Sequence, residues 1–200
     1  MGRNSKAVPR RQEILYHFYQ VIQDEGIEGA SIAKIAKRMD VNPSLLIHYF
    51  SNKQAMVLGL VKYIVQTYAE KVLPDLTEVS NPKERWEDLL DVIAQTHWDL
   101  FINNAVFYTA YTLSFRIPEI KQEFTQLYEE VRKRLENEIM LAKNAGVISV
   151  QDCGQAADLI FILLEGANYY QNVRTGVLSM EQRSELIKKT IRTSFSNGVV

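Results

Sequence analysis

The stretch SIAKIAKRMDVNPSLLIHYF, residues 31–50, decides the fold. Ser31 puts a hydroxyl ahead of a segment in which Ile32, Ile35, Ala36 and Met39 recur at helical spacing, with Lys34, Lys37 and Arg38 on the other side. A short polar side chain before an apolar-periodic run marks a capped helix start. That run lasts barely two turns before Asp40-Val41, and Asn42-Pro43 then reads as the cap and first residue of another short helix ending at Tyr49. Two short helices on either side of a tight turn have the spacing of a helix-turn-helix. So short a second helix is not stable by itself, so Leu46 and Phe50, four apart, must pack on Val41 and the preceding helices. The other face is free to enter a major groove, with Asn42, Pro43 and Ser44 at its start and Ile47 and His48 one turn on. His48 is the best single candidate for a base or phosphate contact, whereas Tyr49 reads as a packing residue with a wet hydroxyl.

Upstream, a helix is predicted from Pro9 to Glu25, with Ile14, Leu15, Phe18, Val21 and Ile22 on one stripe and Gly26 free to take the left-handed conformation that closes it. The first twelve residues carry Arg3, Lys6, Arg10 and Arg11 and no acid, the form of an arm that touches phosphate or of a solvated tail. Downstream, Lys53 to Leu73 predicts a long fourth helix stopped by Pro74, and Ser31 and Lys53 each mark a helix start where a phosphate could sit. Amphipathic segments follow at about 83–102, 105–115, 119–145, 152–174 and 180–196, and no strict strand alternation occurs. The reading is an all-α chain of about nine helices in three parts: a helix-turn-helix domain at 1–52, a connecting helix at 53–73 and a body at 74–200. In the body, Glu129 with Lys133 and Glu130 with Arg134 are spaced as ion pairs on a solvated helix face.

Charge divides the same way. Residues 1–55 hold eight Lys and Arg against five Asp and Glu, while residues 56–200 hold fifteen against nineteen. With 46% hydrophobic residues, disorder is excluded; with Cys153 the sole cysteine, so is a disulfide scaffold, and a cytoplasmic protein is expected. No apolar run is long enough to span a membrane. Glu13 and His17 share a helix face without a second Glu/His pair, and no phosphate loop, nucleophile elbow or metal-ligand set is found, so neither an enzyme nor a cofactor or metal is expected.

The landmarks from Arg11 to Leu58 resemble the TetR family of bacterial transcription regulators. They are Ile14-Leu15, Phe18, Gly26, Ser31, Ile35-Ala36, Val41, Tyr49-Phe50, Lys53 and Met56. The runs Ile47-His48-Tyr49-Phe50 and Leu164-Glu165-Gly166 look most like its choline-responsive BetI branch. Two positions depart from the family pattern: Asp40 stands where Gly is frequent, and Ile47 stands where a phosphate-contacting Tyr is usual. Asp tolerates the left-handed turn, but Ile47 cannot donate a hydrogen bond and is left with apolar contacts to sugar or a thymine methyl.

The resemblance implies a homodimeric repressor, released from a palindromic operator by a small effector, with DNA contacts from Arg10, Ser31, Asn42, Pro43, Ser44, Ile47, His48 and Lys53. It further implies an effector held in the body, where Trp98, Tyr108, Tyr111, Phe161 and Glu165 would suit a cation, and the same walls without Glu165 an amphipathic or acyl ligand. The last two helices would pair with their copies through Leu159, Leu163, Tyr170, Leu186, Ile187 and Ile191, with Gly166 and Ala167 allowing close approach. A helical-bundle enzyme and a protein-binding adaptor are the alternatives from other classes; the first requires a converging acid/base or metal set in the body, the second no salt-sensitive DNA affinity.

Overall fold

The computed structural model describes residues 4–73, 75–95, 103–174, 176 and 178–196. Among them there are nine helices and no strand: α1 Asn4–Gly29, α2 Ile32–Arg38, α3 Pro43–Tyr49, α4 Lys53–Val72, α5 Pro82–Gln95, α6 Asn104–Leu113, α7 Pro118–Asn144, α8 Cys153–Val173 and α9 Met180–Ser196. The expected all-α architecture is thus observed. Residues 96–102, into which the periodicity carries the fifth helix, lie outside the described residues.

Local chemistry sets most helix boundaries. Gly26 (φ 74°) breaks the regular winding of α1, and Ile27 to Gly29 add a further turn. The helix starts earlier than Pro9, at Asn4, so the basic head of the chain is wound from there on rather than extended. At the end of α2, Asp40 takes φ 53°, its N–H donates to Lys37 O (3.2 Å) and the Val41 N–H reaches back to Ala36 O (3.0 Å). This crossed pair is the Schellman closure, with Asp in the place that most often falls to Gly. Asn42 Oδ1 accepts the Ser44 N–H at 2.9 Å to start α3, and Asn52 Oδ1 accepts the Ala55 N–H at 2.8 Å to start α4.

The chain divides into two compact units, residues 1–68 with 99–126 and residues 69–98 with 127–200. In the first, Phe18, Ile14, Ile35, Leu46, Phe50 and Met56 are buried together as the largest enclosed side chains of the head. α2 packs on α3, and α6 lies against α1, where the Tyr19 hydroxyl accepts the Asn103 N–H at 2.7 Å. Tyr68, Phe107 and Phe124 join α4, α6 and α7 in an aromatic cluster, the first two stacked at 5.3 Å between centroids.

In the second unit α5 packs on α9, with Trp86 stacked on Phe195 at 5.9 Å, and α8 also meets α9. Arg85 grips Glu138 with two bonds of 2.7 Å. The pairing expected of Glu130 with Arg134 gives way to another contact: Arg134 donates to the carbonyls of Ala69 and Leu73 at 2.7 and 2.9 Å. The last carbonyls of α4 have no partner within their own helix and carry its negative dipole end, so a guanidinium in reach satisfies both needs.

Phe50→Ala is expected to lower the unfolding free energy by about 3–5 kcal/mol through the cavity it leaves, read by urea denaturation followed by circular dichroism.

Candidate nucleic-acid interface

The helix-turn-helix sorts its residues by burial. Leu46 and Phe50 are 0% and 1% exposed, while Asn42, Pro43, Ser44, Ile47 and His48 all lie on the open side of α3, Ile47 at 54% exposure. The His48 ring meets the half-buried Tyr49 edge-on at 5.3 Å and stays exposed. α3 therefore presents a cap, a proline, a hydroxyl, an apolar branch and an imidazole on a single outward face.

The positions expected to meet phosphate are occupied in several ways. Ser31 is exposed, and its hydroxyl accepts the Lys34 N–H at 3.3 Å, so it caps α2. The Lys53 ammonium is exposed but donates to Ile27 O at 3.0 Å, beside the Gly26 break. Arg10 pairs with Glu13 at 2.6 Å, three residues along α1. Arg11 sits over the Phe50 ring, 4.4 Å from its centroid, a contact between helices that spacing does not announce.

Of the residues expected to hold an effector, Trp98 lies outside the described residues. Tyr108 and Tyr111 are half-buried on α6 in the first unit. Tyr111 meets Phe115 and Phe124 edge-on at 5.3 and 5.5 Å, and Tyr108 meets Phe107 at 5.8 Å. Phe161 and Glu165, one turn apart on α8, are half-buried in the second unit, where Phe161 meets Tyr128 edge-on at 5.0 Å. Phe124 and Tyr128 are aromatic residues that sequence reading passed over, although their i,i+4 spacing on α7 was a usable signal.

The residues expected at a dimer contact fall into three groups. Ile191 (1% exposed) and Ile187 (3%) are buried within the chain, Leu159 and Leu163 are half-buried, and Tyr170 and Leu186 are exposed. Leu163, Gly166, Ala167, Tyr170, Leu186 and Ile187 line an open, almost wholly apolar groove of about 380 Å³ between α8 and α9. Gln171 also lines it, and its Oε1 is buried with no hydrogen-bond partner among the described residues. Arg183 lines it as well, and burial holds its guanidinium pKa below the ordinary value.

A buried three-helix head that offers one short helix outward, followed by a long helical body, defines a helix-turn-helix transcription regulator. Residues 19–60 match the model of bacterial regulatory proteins of the tetR family, and residues 81–195 match the tetracyclin repressor-like C-terminal domain. The chain belongs to the TetR family, whose members are transcription regulators rather than enzymes. The HTH-type transcriptional regulator BetI of Rhizobium meliloti (strain 1021) is 20% identical over 172 residues, which cover 86% of this chain and 82% of that one. BetI of Yersinia pestis (strain Pestoides F) is 31% identical over 92 residues, 45% of this chain and 44% of the relative, so the match spans under half of each. A transcriptional regulator from Saccharomonospora viridis, in a crystal structure with choline, shares the fold at a TM-score of 0.79 and 18% identity, covering 94% of this chain and 98% of that one. No helix among the described residues is long and apolar enough to cross a membrane.

Asn42→Ala, which removes the α3 cap, is expected to cost about 1 kcal/mol of stability and, if α3 meets DNA, to weaken DNA binding further. Thermal unfolding beside gel shifts separates the two effects.

Proposed function

We propose that the chain acts as a homodimer that binds a palindromic operator through α3 and is released by a small cationic effector of the quaternary ammonium class. The observation that carries the DNA reading is that α3 is held by the buried Leu46 and the following Phe50 while Pro43, Ser44, Ile47 and His48 stay exposed, with Leu45 and Tyr49 half-buried at the border. Asn42, Pro43, Ser44, Ile47 and His48 are the residues able to reach base edges, with Ser31, Lys53 and Arg10 at the backbone. One short reading helix gives little affinity alone, and two copies a DNA turn apart supply the rest. His48→Ala should change preference among sequences by about 1–3 kcal/mol, whereas Lys53→Ala should weaken binding to every sequence and flatten the salt slope by about one unit. Equal losses on operator and random duplex for His48→Ala would remove the base-reading role.

The dimer contact is assigned to α8 and α9. Support comes from Ile162, Tyr169, Tyr170, Val173, Leu178, Met180 and Leu186, large apolar side chains that all stay exposed in the single chain. A patch of this kind needs a cover in a water-facing protein, and the unpartnered Gln171 Oε1 beside it asks for a donor. Leu163→Glu and Leu186→Glu each put an unpaired charge into a symmetric interface twice over, so both should sediment as monomers. An intact dimer in both variants would sink the assignment.

The effector class rests on the similarity to BetI proteins and to the choline-bound regulator, together with the aromatic side chains of α6. Ring faces attract a quaternary ammonium, and Tyr108 and Tyr111 sit on a helix that touches α4 through Phe107 and Tyr68 and α1 through Asn103 and Tyr19. An effector that displaces α6 would therefore displace the helices that carry α3. Choline should release operator DNA in gel shifts with a coupling of about 5–150-fold, and Tyr111→Ala should keep operator affinity while losing release. Joint loss of stability and operator binding in that variant would make Tyr111 a core residue instead.

A further inference from the structure

We infer that Asp24 and Glu25 form an acidic screen over the cations of α2 and thereby hold down the affinity of the head for DNA of any sequence. The inference rests on the DNA-binding reading of the head and concerns how strongly that site binds.

Asp24 Oδ2 accepts from Arg38 Nη1 at 2.6 Å, while Arg38 Nε donates to Gln20 Oε1 at 3.2 Å. The Glu25 carboxylate pairs with the Lys34 ammonium. α2 is the first helix of the helix-turn-helix, the one that crosses the DNA backbone in this motif. Of its three cations, Lys37 alone makes no ion pair among the described residues.

Folding does not explain why acids stand there. Asp24 and Glu25 directly precede the Gly26 break, at the negative end of the regular part of α1, where carboxylates are unfavourable and cations favoured. The two pairs are also exposed, with side chains 48% and 44% accessible in one and 38% and 54% in the other, so each contributes little to stability. What the acids do change is the charge that α2 shows to a polyanion. Sequence-independent affinity comes from cations that displace counterions from phosphate, with a salt slope of about −0.9 per phosphate neutralised. A cation already paired must leave its carboxylate before it contributes. The loss falls equally on operator and random DNA and leaves the base readout of α3 unchanged. Its use lies in release: a coupling of about 5–150-fold can empty an operator only when the starting affinity is not far above what the cellular concentration needs.

The test is a double-mutant cycle in the full-length dimer, with fluorescence anisotropy on a random-sequence duplex over a series of KCl concentrations. Glu25→Gln and Asp24→Asn should each tighten binding several-fold at low salt and steepen the slope by about 0.9 per freed cation in each head. Preference for the operator over random duplex should stay as in the wild type. Lys34→Gln should change little in the wild-type background but cancel the gain in the Glu25→Gln background. Equal losses from Lys34→Gln in both backgrounds would overturn the screen, because Lys34 would then act on DNA regardless of its partner. A fall in thermal midpoint with no gain in affinity would also overturn it and assign the pairs to folding. A wild-type protein without salt-dependent duplex affinity would overturn the DNA-binding reading itself, and this inference with it.

Discussion

A seven-residue helix that must face outward cannot hold its own shape, and the head is organised around that constraint. Leu46 and Phe50 anchor α3 from its buried side, and α4 can come close only because residue 59 is glycine: a Cβ there would lie 2.9 Å from the Phe50 ring. Arg11 covers the same ring from α1. Every outward residue of α3 takes its position from this one apolar lock. Caps at Asn42 and Asn52 and the left-handed Asp40 then set where α3 begins and how the chain leaves it.

The same unit contains α6, which does not belong to the head by sequence position. The Tyr19 hydroxyl holds the N–H of Asn103, the capping residue of α6, and the Tyr68–Phe107 stack ties α6 to α4. Both contacts are short-range and geometric, a hydrogen bond and a ring stack. Such contacts pass a displacement on instead of absorbing it. Under the proposed release by an effector, α1 as well as α4 would carry a displacement of α6 toward α3.

Charge is used differently in different places. In the second unit Arg85 and Glu138 are only 19% and 20% exposed and grip in two-point geometry, so they tie α5 to α7. On the head the pairs are exposed and contribute little to stability, and their weight lies in the field they present. Exposed apolar area, in turn, gathers on α8, on α9 and on the turn between them, at Ile162, Tyr169, Tyr170, Val173, Leu178, Met180 and Leu186.

The sequence by itself determined the features whose causes lie within about four residues. Helix content, the cap at Ser31, the Asn42-Pro43 start, the Asp40 turn, the Gly26 break and the burial of Leu46 and Phe50 all follow from spacing and side-chain type. Family membership was legible for the same reason, since its landmarks are these local devices. Only the tertiary structure decided the partners that come from far along the chain. Arg134 reaches back to Ala69 and Leu73 although a Glu stands four residues before it, Lys53 takes the carbonyl of Ile27, and Tyr19 takes the N–H of Asn103. A long cationic side chain has many acceptors of nearly equal worth, and a phenol oxygen many donors, and periodicity carries no information about which of them the folded chain brings within about 3 Å. The ring cluster of Tyr68, Phe107, Phe124 and Tyr111 was hidden likewise: Phe107 and Tyr111 share a stripe of α6, but Tyr68 lies on α4 and Phe124 on α7, and only the packing of the three helices brings the stripes together.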